Sequence, residues 1–452
     1  MAVKQVKLDV SQVTVGMFVS GLDRPWSQTP FALQGFPVKT QDDIRLLQSL
    51  CKQVSIDVAR CDAPARANLR AYAYADRKPS QDTAPDTRRP QLRKLAKPVA
   101  PIKVEPDRYP VTHKLSREIQ VARQTHLQAC EVLEQTFERL KEGADGSVAE
   151  LREVAGDLVD SALRNPDAIT WVARIEGHDR HTYDHAVRAS VWGILLGRHM
   201  GLSKPDLEAL AQGLLLKDVG KTRLDRVTLE NAERTPWEEE QYRRFVNFGV
   251  EILRTVPNID PRVMGIVKTH CERLNGTGFP LGLKGDKIPL LGRIAGIVTF
   301  YDEITYPRAA QEPLAPSKAV ARLYEQRNIF FQEQLVVEFI RAIGLYPTGS
   351  LVELDTGEIA VVVEQNFKWR LKPRVVCVLD RRHQPVSEYE VRDLAAYAGR
   401  LERGERFPDP DGYRIMHDLR SEGLAVDLEL VRDFYLHSRR WPTWLPSLGL
   451  AR

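Results

Sequence analysis

A helical periodicity runs from Lys114 to about residue 345, and it constrains the fold more than any other feature of the chain. Apolar residues recur three and four positions apart, as in Leu115 to Lys141, and glycines stand where helices should end. From His181 to Met200 the apolar residues form one stripe, and Gly201 follows at the expected C′ position. The pattern predicts a bundle of helices over about half of the 452 residues.

The remaining segments differ in pattern from the helical region, residues 113–345. Residues 1–68 alternate short strand-like runs with one helical pattern, which predicts a small N-terminal α/β domain. Residues 69–112 are rich in proline and charged side chains and poor in large apolar ones, so we expect a flexible linker. Residues 346–452 begin with a hairpin pattern and continue as a charged tail that we expect to be helical. The predicted class is mainly α, with a β-rich C-terminal extension.

Charge and cysteine content exclude several classes of protein. The chain has 65 basic and 61 acidic side chains and a net charge of +4, so no overall field favours DNA as a partner. The N-terminus lacks an apolar signal core, and no segment approaches the roughly 18 apolar residues needed to span a membrane. We expect a cytoplasmic protein. The five cysteines form no CxxC pair, which argues against a disulfide framework or zinc ribbon.

A histidine and a glycine-rich turn mark the segment from Thr269 to Pro280, with the sequence THCERLNGTGFP. This segment resembles the HHE…DGxGYP signature of the HD-GYP family. Further matches have the same order and spacing: His185, the run Lys217-Asp218-Val219-Gly220-Lys221, Gly249, Tyr301-Asp302 and Arg308. The resemblance covers about residues 113–345 and implies an HD-domain helical bundle. The runs Gly16 to Val19 and Leu22 to Trp26 also resemble a small domain often found in front of HD-GYP modules.

The resemblance implies hydrolysis of cyclic di-GMP at a site of two or three metals. A metal pair supplies a hydroxide nucleophile at neutral pH and neutralises charge on the phosphate oxygens. His185 matches the first helical histidine of the family, Asp218 the aspartate that bridges the metals, and His270 the first histidine of HHE. Lys221 matches the lysine of HDxGK, so the resemblance gives Asp218 and Lys221 catalytic roles.

The chain departs from the family at the expected metal ligands. Lys217 and Phe245 stand where histidines belong, Cys271 replaces the second histidine of HHE, and Thr299 replaces an aspartate. A thiolate can still bind zinc or iron, whereas a phenyl ring offers no lone pair and a hydroxyl is a poor substitute for a carboxylate. An ammonium about 4–8 Å from a divalent cation repels it by roughly 4–8 kcal/mol at an effective dielectric of about 20. We therefore expect no complete two-metal site.

Two arrangements of the predicted site remain open. His181 and His185 are four residues apart on a predicted helix and, with Asp218, His270 and Cys271, would provide ligands for a single iron, manganese or zinc ion. Alternatively no metal binds, and the Lys217 ammonium balances Asp218 or contacts a nucleotide phosphate. A purely structural role for this lysine at a helix C-terminus is also open. The nucleotide-binding set would then comprise Lys217, Lys221 and Arg308.

The resulting hypothesis is a cyclic di-GMP signalling protein with a degenerate site, in which hydrolysis is weak or absent and nucleotide or a partner is bound. One alternative is an active phosphodiesterase with a rearranged metal site. Another is an interaction scaffold that binds a signalling protein through the loop formed by Asn275, Gly276, Thr277, Gly278, Phe279 and Pro280. Cyclic di-GMP or a related cyclic dinucleotide is the expected ligand, and a homodimer is left open.

Overall fold

In a computed structural model of the chain, the structure describes residues 5–23, 35–38, 40–62, 65–66, 99–106, 108–143, 148–175, 181–231, 233–307, 312–366, 369, 371–396, 414–420, 424 and 426–438. The chain divides into two compact units, one built by the N-terminal region and one by most of the remainder. Among the described residues, no helix is both long and apolar enough to cross a membrane.

The N-terminal unit is a small antiparallel sheet packed against one helix, as predicted. Its strands have the order β1-β4-β2-β3. The helix is held at its start by a capping box, in which Thr40 and Asp43 each accept a hydrogen bond from the other's backbone. Leu47 of the helix and Ile56 of the sheet are fully buried in the common core. The elements are β1 (Gln5–Asp9), β2 (Phe18–Leu22), β3 (Phe36–Pro37), α1 (Gln41–Leu50) and β4 (Gln53–Asp57).

The second unit begins with the predicted helical bundle, which confirms the mainly α class. Its long central helix α5 has apolar residues on nearly all sides and is buried by its neighbours along most of its length. The helices are α2 (Leu115–Lys141), α3 (Ala149–Arg164), α4 (Pro166–Ile175), α5 (His181–Met200), α6 (Lys204–Leu216), α7 (Arg226–Glu230), α8 (Pro236–Arg243), α9 (Phe245–Arg254), α10 (Pro261–Thr269), α11 (Leu290–Thr305), α12 (Pro316–Glu325) and α13 (Glu333–Ile343).

The segment before α2 lies against the bundle where it is described. The backbone of Ile102 exchanges two hydrogen bonds with the side chain of Gln334, at 2.8 and 2.6 Å. The Tyr109 hydroxyl donates to the carbonyl oxygen of Leu202 at 2.7 Å. Its composition alone did not indicate these contacts. Of the expected flexible linker, residues 69–98 lie outside the described part of the chain.

A tight approach between two backbones positions the end of α6. The helix ends at Leu216, and a 3-10 turn, Val219–Arg223, follows it. A Cβ atom on Gly220 would lie 1.9 Å from the carbonyl oxygen of Phe245 and 2.4 Å from the amide nitrogen of Gly249. Only glycine permits this contact, which fixes the residues after α6 against α9.

A five-stranded antiparallel sheet of order β8-β7-β6-β5-β9 follows the bundle. The predicted hairpin is confirmed, but the expectation that the following tail is helical is wrong for β8 and β9. Both are edge strands, and edge strands tolerate charged side chains that obscure the strand pattern in the sequence. The elements are β5 (Leu351–Leu354), β6 (Ile359–Glu364), β7 (Arg374–Leu379), β8 (Pro385–Asp393), β9 (Ile415–Leu419) and the helix α14 (Leu428–Ser438).

Candidate functional site

His185 lies one turn into α5 and connects two buried carboxylates. Its Nδ1 atom is 2.7 Å from Oδ2 of Asp302 on α11, and its Nε2 atom is 3.8 Å from Oδ2 of Asp218 after α6. All three side chains are almost completely buried. Burial and, second, the positive charge of Lys217 lower the pKa of His185. The imidazole is therefore neutral. Its Nδ1–H group donates to Asp302, and its Nε2 lone pair lies on the side of the ring that faces Asp218.

Asp302 holds this imidazole with help from two further donors on α5. Its Oδ1 atom accepts hydrogen bonds from Nε of Arg188 and Nε1 of Trp192, both at 3.1 Å. Burial would raise the pKa of Asp302, but Arg188 and His185 outweigh it and lower the pKa to about 2. The carboxylate is ionised, and it accepts hydrogen bonds from three side chains of α5.

Asp218 lies between two lysine ammonium groups. Lys217 Nζ contacts Asp218 Oδ2, and Lys221 Nζ lies 2.7 Å from Oδ1. Lys217 is fully buried, and Lys221 is only 7% exposed. Burial would raise the pKa of Asp218, but Lys217 and Lys221 hold it well below its usual range. In turn, Asp218 raises the pKa of Lys221 against the opposing effect of burial. The HD-like pair is thus an internal ion cluster with both carboxylate oxygens occupied.

His270 follows α10 and is also buried and neutral. Its Nδ1 atom donates to the carbonyl oxygen of Val267 at 2.9 Å, which leaves the Nε2 lone pair as its remaining acceptor. Burial lowers the pKa of His270 to about 3, with Lys217 and Lys221 acting in the same direction and Asp218 opposing them. The same charges therefore govern both histidines.

Aromatic rings fill the space beside His270. The ring of Phe245 lies 5.8 Å from that of His270 and 6.2 Å from that of Phe279, measured between centroids. Lys221 Nζ lies 5.0 Å from the centroid of Phe245, which allows a cation–π contact. At position 245 the resemblance predicts a metal-binding histidine, whereas the structure has an aromatic ring that cannot bind a metal.

Thr299 and Cys271 contribute little that a metal requires. The Thr299 hydroxyl is buried and has no hydrogen-bond partner among the described residues. Burial raises the pKa of the Cys271 thiol to about 12, so the sulfur is protonated at neutral pH. The described part of the chain contains no group of three or more histidine, cysteine or acidic side chains arranged to hold a metal ion. Because Lys217 contacts the carboxylate oxygen that a metal would use, these residues do not fit a metal pair.

The glycine-rich loop after His270 is organised by the buried carboxylate of Glu272. Its two oxygens accept hydrogen bonds from the amides of Leu281 and Leu283, at 2.8 and 3.0 Å. Gly276 has a φ of +79°, and a Cβ atom on Gly278 would lie 2.4 Å from the backbone of Glu272. Asn275 Oδ1 accepts from the Thr277 amide at 3.1 Å. The peptide bond between Phe279 and Pro280 is cis.

The structure brings His185, Lys217, Asp218, Lys221 and His270 into one buried cluster. Helix α5 begins at His181, but the side chain of His181 lies outside the described part, as does all of Arg308. Sequence reasoning did not assign the roles of Arg188, Trp192 and Glu272. Helical spacing from His185 to Arg188 and Trp192 was a usable signal, because residues three and four apart share one face.

Residues 173–332 match the family described as HD domain, and residues 5–151 match a domain of unknown function, DUF3391. The part of the helical bundle that holds the cluster around Asp218 is therefore similar to an HD domain. The chain is 29% identical over 401 residues to the cyclic di-GMP phosphodiesterase PA4108 of Pseudomonas aeruginosa. This alignment covers 88% of this chain and 90% of PA4108.

Two further relatives match over the bundle. The chain is 30% identical over 181 residues to the cyclic di-GMP phosphodiesterase response regulator RpfG of Xanthomonas campestris pv. campestris, covering 39% of this chain and 48% of RpfG. It is 28% identical over 191 residues to the 3'3'-cGAMP-specific phosphodiesterase 2 of Vibrio cholerae, covering 42% of this chain and 35% of that protein. Within the HD-domain class, these matches confirm the resemblance to the HD-GYP family.

Proposed function

We propose that this chain acts in cyclic di-GMP signalling as an HD-GYP-type protein that binds a cyclic dinucleotide and hydrolyses it weakly or not at all. Three of its relatives are named as phosphodiesterases of cyclic di-GMP or 3'3'-cGAMP. The observation that carries the proposal is the contact of the buried Lys217 ammonium with Asp218, the residue that matches the bridging ligand of the family.

Loss of hydrolysis follows from the charges around Asp218. A metal pair needs a bridging carboxylate with free oxygens and additional lone pairs on both sides. Here Lys217 and Lys221 occupy the two oxygens of Asp218, and Phe245 provides a hydrocarbon surface where a ligand is expected. Bringing two divalent ions to this position would require both ammonium groups to leave or lose a proton.

Binding of a phosphodiester remains chemically reasonable at the same place. Two lysines and one aspartate leave one net positive charge, since both neighbouring histidines are neutral. Lys221 is the more exposed of the two lysines and is the better candidate for direct contact with a phosphate. Arg308 matches a phosphate-binding arginine of the family and would complete the contact. Charge-assisted contacts of this kind contribute about 1.5–3 kcal/mol each.

The test combines metal analysis, turnover and binding. Protein expressed with iron, manganese and zinc should contain fewer than two metals per chain. After chelation it should still bind cyclic di-GMP in titration calorimetry, and Lys221→Ala or Arg308→Ala should lower the affinity roughly 10- to 100-fold. Lys204→Ala, which removes a lysine from an exposed ion pair with Asp160, is the matched control. Added salt should weaken binding by screening.

Two results would contradict the proposal. Two tightly held metals with chelator-sensitive turnover would establish an active phosphodiesterase with a rearranged site. Turnover restored by Lys217→His alone would show that the losses at Phe245 and Thr299 are not the limiting defect. The quadruple variant Lys217→His, Phe245→His, Cys271→His and Thr299→Asp rebuilds the family's ligand set and is the variant expected to regain hydrolysis.

A docking role for the glycine-rich loop is the second candidate function. The Glu272 carboxylate holds the backbone that follows the loop through two hydrogen bonds. Leu281, the residue directly after the loop, has a side chain that is 52% exposed. A rigid loop that presents an apolar side chain is suited to binding another signalling protein. If chelated protein does not bind cyclic di-GMP, Phe279→Ala and Leu281→Ala become the variants to compare in partner capture.

A further inference from the structure

A cavity of about 660 Å³ lies where α3, α6 and the start of α10 meet. Its volume is within the range of roughly 300–1,000 Å³ that is usual for sites of small ligands. As far as the structure describes the chain, none of the residues around Asp218 lines it. The cavity is therefore separate from the candidate site, and its own side chains determine what it can bind.

Arg152 and Glu208 line this cavity with hydrogen-bonding capacity to spare. Among the described residues, Arg152 donates one hydrogen bond, from a terminal nitrogen to the carbonyl oxygen of Asn258 at 3.3 Å. The Glu208 carboxylate lies 3.8 Å from the ammonium of Lys204, which is closer to Asp160, at 2.6 Å. A guanidinium has five N–H donors and a carboxylate has two acceptor oxygens, so both groups can bind a ligand without losing these contacts.

Gln212 adds a buried amide to the same lining. Its side chain belongs to a residue that is only 3% exposed, and its Nε2 atom has no hydrogen-bond partner among the described residues. A buried polar group without a partner is costly, and such a group beside a cavity indicates a place for a polar ligand. Rotation about the last torsion lets the amide present either its NH2 group or its oxygen.

The charges of the lining disfavour a simple anion. Arg262 also lines the cavity, but its guanidinium donates to Asp260 and Asp206, both at 2.7 Å. Two arginines in the lining are matched by two acidic residues, Glu208 and Asp260, so its formal charge is zero. A small anion would meet a carboxylate beside each guanidinium. The lining instead suits a neutral group that carries acceptors for Arg152 next to donors for Glu208.

We propose that this cavity binds the guanine base of a nucleotide, at a site distinct from the cluster around Asp218. Guanine offers O6 and N7 as acceptors to a guanidinium, and its N1–H and N2 amino groups are donors that a carboxylate accepts. Arg152 would contact the first pair and Glu208 the second, while apolar lining residues such as Pro205 and Ile259 contact the faces of the ring.

The position of this site links it to the rest of the bundle. Its lining comes from α6 and from the start of α10, and these two helices are followed directly by Lys217 and His270. A bound base would therefore bridge two helices that position the buried cluster. The proposal goes beyond the proposed function, because it concerns a second surface and a ligand without the cyclic phosphodiester.

Titration calorimetry of the full-length protein with GMP, IMP and AMP tests recognition of the base, because the three nucleotides share ribose and phosphate. GMP should bind about three times more tightly than IMP, which lacks the N2 amino group, and at least about ten times more tightly than AMP, which presents a donor at position 6. Arg152→Ala and Glu208→Gln should each lower the affinity for GMP at least about tenfold. Arg152 is exposed and Glu208 is half-buried, so both variants should fold like the wild type.

Two control variants separate this site from general charge effects and from the buried cluster. Arg322→Ala removes an exposed arginine that pairs with Glu325, and Lys221→Ala alters the cluster around Asp218. Both should leave the affinity for GMP within about twofold of wild type. GMP binding that persists in chelated protein unable to bind cyclic di-GMP would support this site while contradicting the proposed function. No binding of GMP, equal affinities for GMP and AMP, or binding that Lys221→Ala abolishes and Arg152→Ala leaves intact would overturn the proposal.

Discussion

Replacing Asp302 with asparagine should weaken the bundle where three donors of α5 converge. The substitution keeps the size of the side chain but removes the charge that faces Arg188, which is 5% exposed. It also replaces one acceptor oxygen by an NH2 group, which cannot accept the hydrogen bond that His185 or Trp192 donates to that position. The expected primary effect is a lower free energy of unfolding, with a loosened orientation of His185 as the local consequence.

The magnitude follows from the lowered pKa of Asp302. A shift from 3.8 to about 2 corresponds to roughly 2–3 kcal/mol of stability held by the ionised form. Breaking a buried ion pair by removing one partner typically costs about 3–5 kcal/mol, so the two estimates overlap near 3 kcal/mol. Because the folded pKa is depressed, this stability is present above about pH 4 and is lost as the pH falls through the folded pKa.

Urea unfolding followed by tryptophan fluorescence measures the effect, since Trp192 donates directly to Asp302. The difference between wild type and Asp302→Asn should narrow by about 1 kcal/mol between about pH 6 and about pH 3. Asp160→Asn removes a partly exposed carboxylate that pairs with Lys204 and should cost no more than about 1 kcal/mol. A loss below about 1 kcal/mol for Asp302→Asn at neutral pH would refute the assigned role as a buried anchor.

Three further substitutions or reactions test other contacts. Gly220→Ala should destabilise the chain by more than about 2 kcal/mol in urea unfolding, because the added methyl group meets backbone, whereas Gly156→Ala in α3 meets nothing within 4 Å and should be neutral or slightly stabilising. Glu272→Ala should accelerate hydrogen exchange of the two loop amides that its carboxylate binds by about 10- to 100-fold, and unchanged rates would exclude the carboxylate as the loop's anchor. Alkylation of Cys271, followed by peptide mass spectrometry, should keep rising with pH beyond about pH 9 because its pKa is raised to about 12, and a plateau below that pH would contradict the burial argument.

The sequence predicted the elements that are defined by residues close together in the chain. Helices α2 and α5 have the predicted ends, because a long apolar stripe and a terminal glycine or charge cluster define them locally. The strand β9 could not be predicted in the same way, because its pairing partner β5 lies far earlier in the chain. The strand β8 follows its partner β7 after a short turn, but its largely exposed side chains hide the strand pattern. Edge positions also remove the alternation of apolar residues on which strand prediction depends.

The sequence indicated which residues lie around Asp218, but it did not indicate how their side chains are arranged. Family resemblance identified the residues around Asp218, but the sequence left three roles open for Lys217. Its direction depends on how the 3-10 turn packs against α9, which is set by the close approach at Gly220. The contact between Glu272 and two amides nine and eleven residues later likewise depends on the path of the loop. Such contacts arise from tertiary structure and have no local sequence pattern.

The motif that contains Glu272 combines residues that shape the loop backbone with a position that would serve the chemistry. Glu272 and Gly278 serve the backbone, through hydrogen bonds and through the absence of a side chain, whereas the neighbouring position 271 would serve the chemistry. The first kind can persist when the second changes, because the loop closes on its own carboxylate. On the proposal that this chain hydrolyses cyclic dinucleotides weakly or not at all, sequence searches that weight the glycines and the glutamate would group hydrolases with non-hydrolases. A classification by activity should weight the residues that surround the Asp218 carboxylate, and above all the charge at position 217.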